Sequence, residues 1–195
     1  MNQKTIDYYD SHAEEFFSGT IDADMSECRA RFLAHLPQGK KILDTGCGSG
    51  RDILAFLEAG YEVEAFDASA ELCRIASQKT GVAVRQQRFE DLPGEEAYDG
   101  IWACASLLHV DRQDLPDVLR RLYLLLNPGG VLYASFKYGT GEREKGGRYF
   151  NDLTEEALAE LLSNAGFEVK ELFITADVRN GRGDEKWVNA IAERQ

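Results

Sequence analysis

"ILDTGCGSGRD", from Ile42 to Asp52, joins a short apolar run to three glycines spaced by single residues and the opening of a helix. A glycine loop between strand and helix lets backbone amides approach a ligand closely, because no Cβ stands in the way. The spacing narrows the ligand. Gly46, Gly48 and Gly50 follow GxGxG, whereas the dinucleotide fingerprint wants its third glycine where Arg51 stands. The Gly-Lys-Ser/Thr of a Walker loop is absent. Asp44, two residues before the first glycine, would repel a pyrophosphate and welcome a cationic amine or sulfonium. A phosphate cradle is disfavoured.

Around this loop, strands alternate with helices. Strands are expected at Lys41 to Asp44, Tyr61 to Asp67, "VAVRQQRF", "YDGIWACAS" and "VLYASF". Helices are expected over Arg51 to Ala59, over Ser69 to Lys79, from an Asp111 cap to "NPGG", and from Thr154 to Ala165. "FEVKELFIT" and "KWVNAIAE" follow with no helix between them, which implies a hairpin. The expected fold is α/β: a doubly wound, mostly parallel, seven-stranded Rossmann-like sheet with an antiparallel C-terminal hairpin strand. In such sheets ligands bind outside the carboxyl ends of the strands, near the switch in strand order. Asp67 closes the second strand, where a carboxylate can accept hydrogen bonds from both hydroxyls of a ribose. A ribose, a cation and no phosphate together describe S-adenosylmethionine.

Composition bounds the rest. The 195 residues suit a single domain, 1–195, with residues 1–39 as an N-terminal helical cap over the cofactor site. A net charge of −12 argues against nucleic-acid partners. No apolar run is long enough for a membrane span, and the polar N-terminus lacks a signal-peptide core. Four scattered cysteines without a CxxC pair indicate neither a disulfide framework nor a metal site, and fit a cytoplasmic setting. A small-molecule acceptor and a monomer or homodimer are expected.

The chain resembles the class I S-adenosylmethionine-dependent methyltransferases, and within them the small-molecule, tellurite-resistance-type branch. The matching pieces are "ILDTGCGSG", "VEAFDAS", "RFEDLP", "YDGIWACASLLHV", "LNPGGVLYASF" and the closing hairpin. The resemblance implies that Gly46, Cys47 and Gly48 approach the methionine moiety, with Asp44 near its amino group and Arg51 near its carboxylate. It further implies that Asp67 holds the ribose and Ala68 packs beside the adenine, with Arg88 and Phe89 at the adenine edge. Ala103 and Cys104 would offer backbone contacts, and Tyr9 would cover the cofactor. Relatives often carry an acid where Arg88 falls here, so Glu90 and Asp91 stay open for the adenine amine.

The acceptor side is read from the residues. His109 in "LLHV" is the candidate general base, its ordinary pKa suiting proton transfer near neutrality; the alternative is that it shapes the loop. Two basic connections, "KYGTGEREKGGRYFND" and "DVRNGRGDEKW", supply Arg143, Arg148, Arg179 and Arg182 to orient an anionic acceptor, with Arg148 and Tyr149 as candidate catalytic groups. Interleaved acids leave ordinary surface ion pairs as the competing account. Flanking glycines would let the first connection close as a lid. Three other functions compete: a nicotinamide oxidoreductase, a noncatalytic S-adenosylmethionine-binding module, and a macromolecule (protein or tRNA) methyltransferase.

Overall fold

A computed structural model describes residues 2–37, 39–92, 98–179 and 181–195. Pro93 of "RFEDLP" and Asn180 of the second basic connection lie outside the described residues. The strands are β1 (Lys41–Thr45), β2 (Glu62–Asp67), β3 (Arg85–Gln86), β4 (Tyr98–Ala103), β5 (Leu126–Lys137), β6 (Gly141–Lys145), β7 (Arg148–Asp152), β8 (Phe167–Ala176) and β9 (Lys186–Arg194). The helices are α1 (Gln3–Ser11), α2 (Ala13–Thr20), α3 (Ser26–His35), α4 (Arg51–Glu58), α5 (Ala70–Thr80), α6 (Leu115–Leu125) and α7 (Glu155–Asn164). The seven-stranded sheet has the order β3-β2-β1-β4-β5-β9-β8. Strands β1 to β5 pair in parallel, and β9 lies antiparallel between β5 and β8. The order reverses between β1 and β4, which puts the ligand crevice at the ends of those two strands.

The central strands are apolar because both sheet faces are covered. Ile42 and Trp102 pack with Phe32 of α3 and Phe56 of α4, while Leu43, Ile101 and Ala103 pack with α6 and α7 on the other face. Trp102 stacks on Tyr133 at 3.9 Å between centroids, and its Nε1 donates to Asp52 Oδ2 at 2.9 Å. Asp52 also accepts from Arg29 of α3 at 2.6 Å, which ties that helix to the sheet. Gly100 of β4 permits the close approach: a Cβ there would sit 2.6 Å from the Phe32 ring and 2.5 Å from Leu36. The three N-terminal helices pack in different places. α3 buries its centre on a sheet face, while α1 and α2 pack against α5 near the rim.

The structure corrects several expected boundaries. The third strand shrinks to two residues, because Val82 and Val84 pack against the cluster of Ile53, Ala65 and Ala76 instead. The Asp111 carbonyl accepts the amides of Asp114 and Leu115, so a turn precedes α6 and Asp111 does not cap it. "NPGG" belongs to β5, which begins as α6 ends. The first basic connection is a folded hairpin, β6 with β7. Gly146 and Gly147 sit at its tip with φ of +57° and +77°, the left-handed pair a type I′ turn requires. By contrast Thr154 caps α7 as expected, accepting from the Ala157 amide.

Phe32 is fully buried against Phe56 and Trp102. Phe32→Ala should therefore cost about 3–5 kcal/mol of unfolding free energy in a urea titration. A loss below about 1 kcal/mol would contradict this packing account.

Candidate active site

The carboxyl ends of β1, β2, β4 and β5 and the β8–β9 connection open onto one cavity of about 840 Å³. At one end lies the glycine loop. Gly46 (φ +70°) and Gly48 (φ +56°) adopt left-handed backbone, and each is also crowded from above. A Cβ on Gly46 would fall 2.5 Å from the Ser106 Cβ, and one on Gly48 would fall 2.9 Å from the Phe16 ring. The Asp67 carboxylate fastens this loop to β2: Oδ2 accepts the Gly48 amide and Oδ1 the Ser69 amide, both at 2.9 Å. Burial pushes its pKa up, against the pull of those amide bonds. Each oxygen still has a lone pair for a ligand hydroxyl.

Asp44 is buried on the cavity wall, and its Oδ2 has no hydrogen-bond partner in the protein. Burial, with repulsion from Asp52, raises its pKa well above the usual carboxylate range; Arg51 opposes the rise. A buried carboxylate left this way calls for a cation or donor from outside the protein. Arg51 lines the cavity too, but its guanidinium is held by Asp52 at 3.1 and 2.5 Å and by the Cys104 sulfur at 3.5 Å. Burial pushes the Asp52 pKa up, and Arg51 with Arg29 more than reverses it.

Of the other cofactor-side candidates, Tyr9, Cys47, Ala68, Phe89 and Cys104 all line the cavity. Two do not. Ala103, expected to offer a backbone contact, lies fully buried in the core behind the cavity wall. Arg88 turns outward to the Gln3 side chain of α1, and neither Glu90 nor Asp91 reaches the cavity wall. Gln87 and Phe89 occupy that edge, and Gln87 was missed because a glutamine in a short strand carries no sequence signal.

On the acceptor side, a chain of hydrogen bonds fixes His109. The Tyr9 hydroxyl lies 2.8 Å from Nε2, and Nδ1 lies 2.6 Å from the Tyr149 carbonyl. A carbonyl only accepts, so Nδ1 carries the proton and Nε2 accepts from Tyr9. Burial lowers the His109 pKa to about 4; the Tyr149 carbonyl opposes this and Arg148 adds to it. The general base read from the sequence is thus a neutral ring whose lone pair is already engaged. Tyr149 is corrected as well: its hydroxyl donates to Glu142 at 2.7 Å and accepts from the Arg112 amide, outside the cavity. Only its backbone serves the site, through His109 and through its amide, which donates to Thr5 of α1 at 3.1 Å.

The four arginines all line the cavity and differ in pairing. Arg143 is paired with Asp152, and Arg179 is clamped by Asp177 at 2.9 and 2.6 Å. Arg182 is exposed at the mouth. Arg148 stacks on Tyr8 at 4.4 Å, and its Nε is buried without a partner. Lys137, the first basic residue of the connection after the fifth strand but not among the expected site residues, is buried at the end of β5 between Asp177 and Glu185.

A Rossmann-like α/β domain with a glycine cradle, a carboxylate closing β2 and a buried unpaired acid is the class that fold and site define. The chain belongs to the methyltransferase domain family, which matches residues 17–172. A ubiquinone biosynthesis O-methyltransferase of Xanthomonas axonopodis pv. citri is 32% identical over 159 residues, covering 70% of this chain and 66% of that protein. The chain thus spans just under two thirds of that relative's length. The Burkholderia thailandensis 1,6-didemethyltoxoflavin-N1-methyltransferase, solved with bound 1,6-didemethyltoxoflavin and S-adenosylhomocysteine, superposes with a TM-score of 0.82 at 27% identity. That match covers 98% of this chain and 88% of the other. The magnesium protoporphyrin IX methyltransferase of Synechocystis PCC 6803 shares the fold at 20% identity and a TM-score of 0.73, covering 100% of this chain and 98% of that one.

His109 also makes stability depend on pH. Its folded value of about 4 lies below its ordinary 6.5, so the unfolded chain binds the extra proton first. The stabilisation is complete above about pH 6.5 and fades as pH falls toward 4, amounting to about 2 kcal/mol between pH 7 and 5. Urea titrations at those pH values should show His109→Gln losing about 2 kcal/mol less than the parent on acidification. Equal losses would show that His109 is not buried neutral.

Proposed function

We propose that this protein transfers a methyl group from S-adenosylmethionine to a small acceptor. The observation that carries the proposal is the unpaired buried oxygen of Asp44 beside the Gly46–Gly48 cradle. An α-ammonium group would satisfy that oxygen, and a ribose would satisfy the free lone pairs of Asp67. Phe89 and Ala68 offer an apolar slot for a base. When bound, the cofactor supplies a methyl carbon already activated by an adjacent sulfonium. The protein's share is then alignment and exclusion of water, worth up to about 7–11 kcal/mol at the ideal limit.

The chain's own residues fit that share. Asp67 fixes the loop through Gly48, so the cradle is formed before a ligand enters. α1 closes one side of the cavity by three ties: Thr5 to Tyr149, Tyr9 to His109, and Asp10 to the start of α5 through Ser69 and Glu71. These ties support a capping role for α1 over the cofactor site. The small-molecule relatives support a small acceptor, and the cavity leaves room for one; the site supports the small-molecule part of the branch suggested by the sequence, with nothing that favours a metalloid. Arg148, whose Nε is buried without a partner on the acceptor half, favours an anionic or polar acceptor.

Calorimetry should show S-adenosylhomocysteine binding in the micromolar range, with no binding of NADH. Asp44→Asn should weaken it by about 1–3 kcal/mol, because a charge-assisted contact to the ammonium is lost. Tight NADH binding, or an unchanged affinity in Asp44→Asn, would overturn the assignment.

A further inference from the structure

The basic side chains of the acceptor half are not equivalent. Lys137 has Asp177 and Glu185, Arg179 has Asp177, and Arg143 has Asp152. Each of these charges is neutralised within the protein. Arg148 is not: among the described residues no carboxylate lies within ion-pair distance of it, and its Nε is buried with no acceptor. Rings surround it instead. The guanidinium lies 4.4 Å from the Tyr8 centroid, 5.3 Å from Phe150 and 5.8 Å from Tyr9.

The groups that face Arg148 are few. α1 presents the Tyr8 and Tyr9 rings, the segment after β4 presents His109, and β6 presents Lys145 in register opposite. None of them carries negative charge at neutral pH. A half-buried guanidinium among aromatic faces, stripped of counter-ions, is a receptor for an anion that lies flat against rings. The one candidate base beside it, His109, has its Nε2 hydrogen-bonded to the Tyr9 hydroxyl and its Nδ1 to the Tyr149 carbonyl, so neither ring nitrogen is open to the acceptor.

We propose that the acceptor enters as its conjugate base, a planar conjugated anion such as a phenolate, enolate or ionised nitrogen heterocycle, held at Arg148, and that no enzyme-held base takes part. The inference rests on the methyl-transfer reading. The step balances without a proton. A lone pair of the anion forms the new bond to the methyl carbon, and the carbon–sulfur pair stays on sulfur as a neutral thioether. The negative and positive charges vanish together. The methylated product then carries no charge for Arg148 to hold, which favours its departure over that of the substrate.

4-Nitrophenol is a suitable probe because its phenolate is coloured and its phenol is not. The protein saturated with S-adenosylhomocysteine should lower the probe's apparent pKa by one unit or more, a tenfold preference for the anion. Non-ionisable 4-nitroanisole should bind at least tenfold more weakly. Arg148→Met should abolish the shift, Arg148→Lys should restore part of it, and His109→Gln should keep it. Calorimetric affinity for S-adenosylhomocysteine should be the same in Arg148→Met and Arg148→Lys as in the parent, which confirms folding and tests the cofactor reading separately. No shift in the parent protein, an equal shift in Arg148→Met, or loss of the shift in His109→Gln would overturn the proposal.

Discussion

A carboxylate buried without a full set of partners is costly, and Asp44 is such a group. The structure spends several features on keeping it there. Arg51, next door, is committed to Asp52, and Asp52 in turn holds Trp102 and Arg29. This network keeps the nearest cation from swinging onto Asp44, and it anchors α3 to the sheet at the same time. The charge on Asp44 is left for something that is not part of the chain. The glycine cradle, the Asp67 clasp and the α1 ties stand around that vacancy in bonding and make sense as its frame.

The acceptor half follows a different rule. Its acids and bases are paired off within the protein, at Lys137 with Asp177 and at Arg143 with Asp152. Arg148, half-buried among the Tyr8, Tyr9 and Phe150 rings, has no such acid among the described residues. One cavity thus carries two groups of opposite kind with unpartnered polar atoms: an acid where a cationic ligand is expected, a guanidinium where an anionic one is. That polarity sets the orientation in which two small ligands would lie together.

Much of this was legible in the chain. Asp44, the three glycines and Asp67 share one strand–loop–helix and one strand end, so short-range pattern sufficed to find them. Thr154 as a cap and the helix-free final pair of strands are equally local signals. What escaped were contacts between distant segments. Nothing near Tyr9 announces that its hydroxyl meets His109, a hundred residues on, and nothing near Tyr149 says that its carbonyl, rather than its phenol, matters to the site. Arg88 went astray because a resemblance fixes a position along the chain and not the direction of a side chain. The β6–β7 hairpin was hidden by its charge: alternation in "GEREK" is of polar residues, and only Gly146–Gly147 betrayed the turn.

The most direct measurement is a crystal structure of the protein grown with S-adenosylhomocysteine. The account requires the ligand's ammonium nitrogen within hydrogen-bond distance of Asp44 Oδ2, both ribose hydroxyls on Asp67, and the sulfur facing the Arg148 end of the cavity. A ligand bound the other way round, or one that leaves Asp44 Oδ2 without a partner, would contradict it.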